Sequence, residues 1–409
     1  MLCLTKHIAF NNRIIIERNL DLGSKYNYIK KCIKLRKIII PLFVCLIVSC
    51  FLSADLREQY KRGEIKLIPD SKFGMNTNWD LLFRKNSDNH FAFLPDGSFF
   101  RSAGKTHKIY KFSDNGDILF EFGQEGQGPG DINNPSELSI LDKQYLLVKE
   151  HASQRRVSIF DLNGELYKLI KLHYPVFGCT ALKENKIATW TLNIIAENNF
   201  SIRNFTVFIR DISSGDEIKI ASFQQKVKTT VLSHGNFLGT VYVLRLQDGN
   251  FVIAFSGSPK ISIFSAKGKK LYSFQINLER EKITKKDFQY FTEKAINNAP
   301  TQFESKRLKN FVEMRKNQIF FPDYFPYYTK ITIDSEDNLL VFINKKAFDS
   351  EDKVFQVYSK DGKYICTTKV NSGNFIPKYL EIFHQEYVYM QLENKAHKGT
   401  SFLAKIKLF

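Results

Sequence analysis

Four glycines within residues 121–135, EFGQEGQGPGDINNP, have the density of a phosphate-binding loop. Such a loop ends in Gly-Lys-Ser/Thr and opens a helix, so that amide N–H groups and a lysine contact the phosphates. Here Gly130 is followed by a polar stretch without a lysine. A dinucleotide fingerprint that uses Gly126 and Gly128 needs a third glycine where the chain has Asp131. The spacing therefore excludes both kinds of nucleotide site.

The other reactive side chains lack the spacing of a catalytic or metal site. The chain has no HExxH, CxxC or GxSxG pattern, and its eight histidines occur singly. Asp and Glu occur mainly at predicted turns, such as SDNG, DLNG and SEDN. We therefore expect no catalytic residues, no metal site and no resident cofactor.

Two groups of side chains are candidates for binding a partner. Arg155 and Arg156 end the polar stretch EHASQRR and could clamp an anionic group, or one of them could pair with a neighbouring carboxylate. Tyr324, Tyr327 and Tyr328 belong to the aromatic run IFFPDYFPYYTK. These tyrosines offer stiff contacts for a protein, peptide or carbohydrate, or they pack neighbouring elements together. We predict these five residues as binding residues, with both alternatives open for each group.

The N-terminal region has the parts of an export signal in the right order. A basic stretch, KKCIKLRK (30–37), precedes the apolar IIIPLFVCLIVSC. Residues 47–50 resemble the bacterial lipobox, in which the enzyme cuts before a cysteine that carries the lipid. This predicts lipidation of Cys50 and a membrane-anchored protein exported to the bacterial cell envelope. The alternative is an uncleaved membrane anchor, since the apolar run can extend to Ala54.

Charge and cysteine content narrow the class of partner. The 60 Lys and Arg against 42 Asp and Glu give a formal charge of +18. Residues 1–49 hold nine basic and two acidic residues and contribute seven of these charges, which leaves +11 for the exported part. Because no block of five or six like charges occurs, we expect a solvated surface and no nucleic-acid partner.

Two cysteines lie beyond the export region. Cys179 and Cys366 can form a disulfide with each other or stay free.

Five segments repeat the pattern of a β-hairpin. Each has an alternating apolar strand, a polar turn with glycine, and a second alternating strand. Their turn glycines are separated by 48, 51, 53 and 94 positions, the last gap being two periods. A period near fifty residues predicts an all-β fold, the β-propeller, in which four-stranded blades stack on their neighbours. The glycines are Gly116, Gly164, Gly215, Gly268 and Gly362.

A shorter unit precedes each hairpin and predicts the two inner strands of a blade. Five blades follow, and residues 379–409 supply three strands of a sixth. We expect the alternating segment 63–70 to add the fourth strand and close the ring without an exposed edge. Residues 278–318 lack alternation and predict two helices, divided by Pro300, inserted before the fifth blade. The predicted domains are the export region 1–50, a linker 51–62 and the propeller 63–409. The five complete blades are predicted at about 80–125, 130–175, 176–227, 230–278 and 325–372.

Residues 122–166 resemble an NHL-type repeat, and the chain resembles bacterial six-bladed propeller lipoproteins with a GxGPGEF link. The resemblance implies that the glycines connect one blade to the next, where close packing excludes a Cβ. The chain departs from the pattern at Ile132, where the family has Phe, and in a 150–157 loop that is one residue longer. The expected function is an envelope-anchored binding or scaffold propeller without catalysis. The alternative is a metal-dependent hydrolase, lactonase or lyase, with calcium held by carboxylates and amides in the axial channel.

Overall fold

Short antiparallel strands joined by tight turns make up most of the chain. The computed structural model describes residues 56–84, 90–197, 200–228, 238–287, 322–343, 353–396 and 400–407, with shorter pieces at 289–290, 293, 305–307 and 309–310. In this part of the chain the strands form six sheets, five of which contain a four-stranded meander. The chain is therefore all-β, as the repeat predicts.

The sheets follow one another along the chain, and the strands of each meander are hydrogen-bonded in sequence order. The first sheet contains β2 (Phe91–Phe93), β3 (Phe99–Ala103), β4 (Lys108–Phe112) and β5 (Ile118–Phe122). The second contains β6 (Glu137–Leu141), β7 (Tyr145–Lys149), β8 (Arg156–Asp161) and β9 (Leu166–Lys171). The third contains β10 (Gly178–Ala181), β11 (Lys186–Glu197), β12 (Phe200–Asp211) and β13 (Glu217–Lys228). The fourth contains β14 (Val241–Arg245), β15 (Phe251–Phe255), β16 (Lys260–Phe264) and β17 (Lys270–Gln275).

The last two sheets depart from this plan at their edges. The fifth contains β18 (Tyr328–Ile333), β19 (Leu339–Ile343), β20 (Lys353–Tyr358) and β21 (Tyr364–Asn371), with β1 (Glu64–Lys66) added beside β21. The sixth contains β22 (Phe375–His384), β23 (Tyr387–Asn394) and β24 (Ser401–Lys407).

The five predicted hairpins are the third and fourth strands of the first five sheets. Their turn glycines all have positive φ, from +81° to +90°, which favours a residue without a Cβ. Near each turn the register between the two strands shifts by one residue. The sequence prediction of these hairpins is confirmed.

Apolar clusters hold neighbouring sheets together around a ring. Among the described residues, each of six buried clusters lies between two adjacent sheets. Phe100 and Leu146, for example, join the first sheet to the second. The ring closes where Phe93 of the first sheet contacts Tyr389 of the sixth, with ring centroids 4.3 Å apart. Sheets that stack face to face in a closed ring define a β-propeller.

The N-terminal segment joins a different sheet from the predicted one. Strand β1 pairs in parallel with β21 of the fifth sheet, so the prediction that 63–70 completes the sheet formed by 379–409 is wrong. The reason lies in helix α1 (Leu56–Lys61), which buries Leu56 and Tyr60 in the cluster between the fifth and sixth sheets and delivers β1 to the edge of β21. The last strand is reached only later, by a single bridge between Pro69 and Ile406.

Two further features border the ring. Helix α2 (Trp79–Arg84) packs Trp79 and Phe83 against the first and sixth sheets. In the predicted insertion, residues 285–287 and 305–307 are helical, while Pro300 and most of the segment lie outside the described residues. The export region 1–50 also lies outside them, and no described helix has the length and apolar character needed to cross a membrane.

Candidate functional site

A cavity opens on the axis of the ring at the end where the inner turns meet. In every sheet the turn between the first and second strands lines this cavity, so the ring brings six turns from distant parts of the chain together. The cavity has a volume of 720 Å³ and is lined from all six sheets. Its lining residues are Phe93, Pro95, Ile140, Lys143, Lys183, Arg245, Leu246, Gln247, Ile333, Asp334, Ser335, Asp337, Phe383, His384 and Gln385.

Three cationic side chains reach this cavity from three consecutive sheets. Arg245, at the end of β14, donates from Nη1 to the carbonyl of Ile140 at 3.3 Å, which connects the fourth sheet to the second. Lys183 donates from Nζ to the carbonyl of Gln247 at 2.7 Å. Lys143 is exposed on a turn where its own φ is +63°. Burial lowers the pKa of Arg245, but an arginine remains charged at neutral pH.

Two carboxylates of the fifth sheet line the same cavity and are already occupied by hydrogen-bond donors. Asp334 accepts from the Asn338 backbone and side-chain N–H groups at 2.9 Å each, and from the Tyr60 hydroxyl at 3.1 Å. Asp337 accepts from the backbone N–H of Gln247 at 3.0 and 3.2 Å. Burial raises the pKa of both carboxyl groups. Donors within the protein thus occupy much of the hydrogen-bond acceptor capacity of these two carboxylates.

Apolar side chains form the rest of the wall. The Phe93 ring stacks on the His384 ring with centroids 5.0 Å apart, and Phe383 lines the same side. Burial lowers the pKa of His384, which favours a neutral imidazole. The site therefore combines an apolar wall with cationic side chains.

The inner strands that frame the axis are tied to one another by side chains. The Glu137 carboxylate accepts the backbone N–H of Cys179 at 2.7 Å, and Thr180 donates to the carbonyl of Val243 at 3.2 Å. Each bond joins the inner strand of one sheet to that of the next. Because inner edges otherwise present unpaired backbone groups, these bonds satisfy them and fix the spacing of the sheets at the axis.

The glycine-rich link is organised by a buried ion pair. Arg156 is 5% exposed and Glu150 is fully buried, and Nε and Nη2 donate to the two carboxylate oxygens at 2.7 Å each. The guanidinium also donates to the carbonyls of Gly126 and Gln127 at 3.1 and 3.0 Å. A Cβ on Gly126 would lie 2.2 Å from the Asp131 carboxylate. The link is therefore a packed connection, as its resemblance to an NHL-type repeat implies.

The two predicted arginines lie in different surroundings. Arg156 pairs with Glu150, which is the second of the alternatives open from the sequence, although the pair is buried and not solvated. Arg155 is exposed, has φ +50°, and follows a short 3₁₀ turn at Ala152–Gln154. The structure does not bring either residue to the axial cavity, and a binding role for Arg155 stays a prediction.

The predicted tyrosines surround a third arginine. The Arg280 guanidinium lies 5.3 Å from the ring centroid of Tyr324 and 5.5 Å from that of Tyr327. Tyr324 is 41% exposed and lines a smaller cavity of 390 Å³, whereas Tyr328 is fully buried at the start of β18. Tyr328 thus packs within the fold, and partner contact by Tyr324 and Tyr327 stays a prediction.

The structure also shows the state of the two cysteines and the arrangement of potential metal ligands. Cys179 and Cys366 are both free, and burial raises the pKa of each thiol. Within the described ranges no group of three or more His, Cys, Asp or Glu side chains is arranged to hold a metal ion. The calcium alternative stays a prediction.

Sequence reasoning missed the residues that meet at the axis. Lys143, Lys183 and Arg245 occupy or adjoin the inner turns, which were recognised only as strand connections. The sequence could have identified them because all three lie at or next to the same turn of successive repeats. Corresponding turns of a propeller meet around its axis.

The fold and its cavity define the chain as a β-propeller with a partly cationic axial site. A scan against protein-family models and a search of curated proteins found no match. Among solved structures, the chain is similar to a member of the DUF4221 family from Bacteroides vulgatus, at 12% identity and a TM-score of 0.46, covering 84% of this chain and 98% of that one. It is also similar to virginiamycin B lyase from Staphylococcus aureus, at 11% identity and a TM-score of 0.41, covering 80% and 97% of the two chains. A third is the calcium-binding protein regucalcin from Agrobacterium tumefaciens, at 8% identity and a TM-score of 0.39, covering 84% and 96%. Similarity at this level bears on neither ligand nor activity.

Proposed function

We propose that the protein is an envelope-anchored binding propeller whose ligand occupies the axial cavity. The observation that carries the proposal is the convergence of side chains from all six sheets on one space of 720 Å³. Small-molecule sites measure about 300–1,000 Å³ and combine apolar walls with a few polar groups. The axial cavity has both properties.

The arrangement supports binding more than catalysis. A catalytic site needs a nucleophile or general base next to a group that activates or orients it. The cavity instead holds two occupied carboxylates, three cations and aromatic rings, and its His384 and Ser335 form no hydrogen bond with each other. The predicted metal-dependent hydrolase or lyase has no supporting observation in the described residues.

The anchor belongs to the same proposal and rests on the sequence. The basic region, the apolar core and the lipobox-like residues before Cys50 occur in the order that export and lipidation require. A lipid on Cys50 would hold the propeller at a membrane of the cell envelope, where a binding protein retains its ligand near the surface.

A pair of fluorescent probes tests the cavity as the site. Phenylnaphthylamine is neutral, and anilinonaphthalene sulfonate has the same aromatic body with one negative charge. We expect at least one of them to bind the folded protein at one equivalent. Ser335 lines the cavity, and its hydroxyl makes no hydrogen bond to a described residue. The Ser335→Trp change places an indole in the cavity and should weaken that probe about tenfold or more.

The control is Ser273→Trp, which adds the same side chain on the exposed face of β17. It should leave probe affinity unchanged, and both variants should melt within a few degrees of the wild type. Equal probe affinity in Ser335→Trp and the wild type would show that the cavity is not the site.

A further inference from the structure

The axial cavity offers three cationic side chains to a ligand. No carboxylate of the described residues forms an ion pair with Lys143, Lys183 or Arg245. The hydrogen bonds that Lys183 and Arg245 make go to the neutral carbonyls of Gln247 and Ile140. Asp337 interacts electrostatically with Lys183, and Asp142 with Arg245, but neither carboxylate hydrogen-bonds its cation, so both cations can form a charge-assisted hydrogen bond to a ligand.

The two carboxylates of the cavity offset this charge only in part, because donors within the protein already engage both of them. Asp334 is 4% exposed, and its two oxygens already accept from Tyr60, Asn338 and the backbone N–H of Glu336. Asp337 is 6% exposed and accepts the backbone N–H of Gln247. Asp334 is held by its own turn and by Tyr60, and Asp337 by the backbone of the turn in the fourth sheet, so the protein engages both carboxylates and the three cations remain for a ligand.

Arg245 is the best placed of the three cations to orient a ligand. Only its Nη1 donates to a described residue, and a guanidinium has further N–H donors in a planar fork that matches carboxylate, sulfonate and phosphate groups. Partial burial strengthens a charge-assisted hydrogen bond because less water competes for it. Lys143 and Lys183 approach from the two preceding sheets.

The apolar wall selects the rest of the ligand. Phe93, Ile140, Leu246, Ile333 and Phe383 border the same space. A small inorganic anion would leave this wall wet, whereas an anion with an aromatic or aliphatic body buries it. Such a ligand contacts both the cationic side chains and the apolar wall.

We propose that the axial cavity binds an organic anion, with its carboxylate, sulfonate or phosphate group held by Arg245, Lys183 and Lys143 and its apolar body against the aromatic wall. This inference rests on the proposed function and specifies the ligand class of the same site.

The matched probes separate the two proposals. Anilinonaphthalene sulfonate should bind wild-type protein about ten- to hundredfold more tightly than phenylnaphthylamine, the range given by one charge-assisted hydrogen bond. The Arg245→Gln and Lys143→Gln changes should each reduce this preference severalfold or more and leave the neutral probe within about twofold of wild type. Raising the salt concentration should lower the affinity for anilinonaphthalene sulfonate more than the affinity for phenylnaphthylamine.

Controls and contrary outcomes are equally direct. Arg62→Gln and Lys171→Gln remove exposed cations away from the cavity and should leave the affinity for both probes unchanged. Lys143 makes no hydrogen bond to a described residue, so Lys143→Gln remains informative if Arg245→Gln melts early. Equal wild-type affinities for the two probes, with loss of both in Ser335→Trp, would overturn the anion proposal and leave the cavity as the ligand site. Binding of both probes unaffected by Ser335→Trp would overturn both proposals.

Discussion

At the scale of single residues, the ion pair between Arg156 and Glu150 is the most consequential contact of the glycine-rich link. The carboxylate is fully buried and also accepts from the backbone N–H of Asn133 at 2.7 Å and from the Ser158 hydroxyl at 3.1 Å. One pair thus connects the link, the loop between β7 and β8, and β8 itself. Removing one partner of this pair would leave a buried group without its hydrogen-bond partner, which lowers the free energy of unfolding.

Replacing Arg156 should be strongly destabilising. The Arg156→Met change leaves the Glu150 charge buried without its partner, which costs about 3–5 kcal/mol of unfolding free energy. Urea denaturation provides the measurement. Arg155→Met is the matched control and should cost no more than about 0.5 kcal/mol, because Arg155 is exposed. A loss below about 1 kcal/mol for Arg156→Met would contradict a structural role for the pair.

Asp334 predicts a specific pH dependence of stability. Burial raises the pKa of its carboxyl above the ordinary value of 3.8. The folded state then binds this proton more tightly than the unfolded state, so the contribution to stability is fully present below pH 3.8 and is lost as pH rises through the folded pKa. Relative to Asp334→Asn, wild-type unfolding free energy should therefore fall as pH increases from about 4.

Asp161 provides a control of opposite sign. Backbone N–H groups, that of Glu165 first, lower the pKa of its carboxyl. Its stabilisation is present above pH 3.8 and is lost as pH falls through the folded pKa. Urea titrations at several pH values should show the difference between wild type and Asp161→Asn growing with pH. The same direction for both aspartates would contradict the assignment.

At the scale of elements, the hairpin turns also act as contacts between sheets. Gly362 and Gly215 occupy the corresponding hairpin turns of the fifth and third sheets, with φ of +86° and +82°, and the turn of Gly215 is one residue longer. A Cβ on Gly362 would lie 2.3 Å from the Phe274 ring of the preceding sheet, whereas on Gly215 its nearest neighbour is Arg210 Nη2 at 3.8 Å. The two turns share a backbone requirement and differ in packing.

This pair separates conformational strain from packing. Gly215→Ala should cost roughly 1–2 kcal/mol because the alanine must adopt positive φ. Gly362→Ala should cost about 1–3 kcal/mol more because Phe274 must move. Chemical denaturation of both variants gives the difference. Equal losses would mean that the turn glycine makes no contact of consequence with the neighbouring sheet.

The N-terminal elements show how a short segment stabilises the ring. Tyr60 is fully buried, donates to Asp334, and accepts at its carbonyl a hydrogen bond from the Thr368 hydroxyl. Strand β1 then covers the outer edge of β21 in parallel. The edge of the fifth sheet, which would otherwise be unpaired, is thereby protected.

At the scale of the whole molecule, the proposed function needs a membrane attachment. We propose that Cys50 becomes the acylated N-terminus. Labelled fatty acid should enter the protein in cells and should be absent from Cys50→Ala. Cys45→Ala, within the same apolar run, is the control and should keep the label. Label that persists in Cys50→Ala would refute lipidation at this position.

The amino-acid sequence by itself determined the repeated unit of this protein. Apolar alternation specifies strands, and a glycine at positive φ specifies each hairpin turn, because both requirements act within a few residues. The period near fifty residues then led to the propeller. Gly164, for instance, was located correctly as a turn without knowledge of its neighbours.

Only the tertiary structure decided which distant residues meet. Alternation marks β1 as a strand but does not name its partner, and the packing of Tyr60 placed it beside β21. Ring geometry brought Lys143 and Arg245 to one cavity although about a hundred residues separate them. The burial of Arg156 likewise depends on a link folded over it. Such contacts are set by the closure of the ring around its axis, which no local pattern encodes.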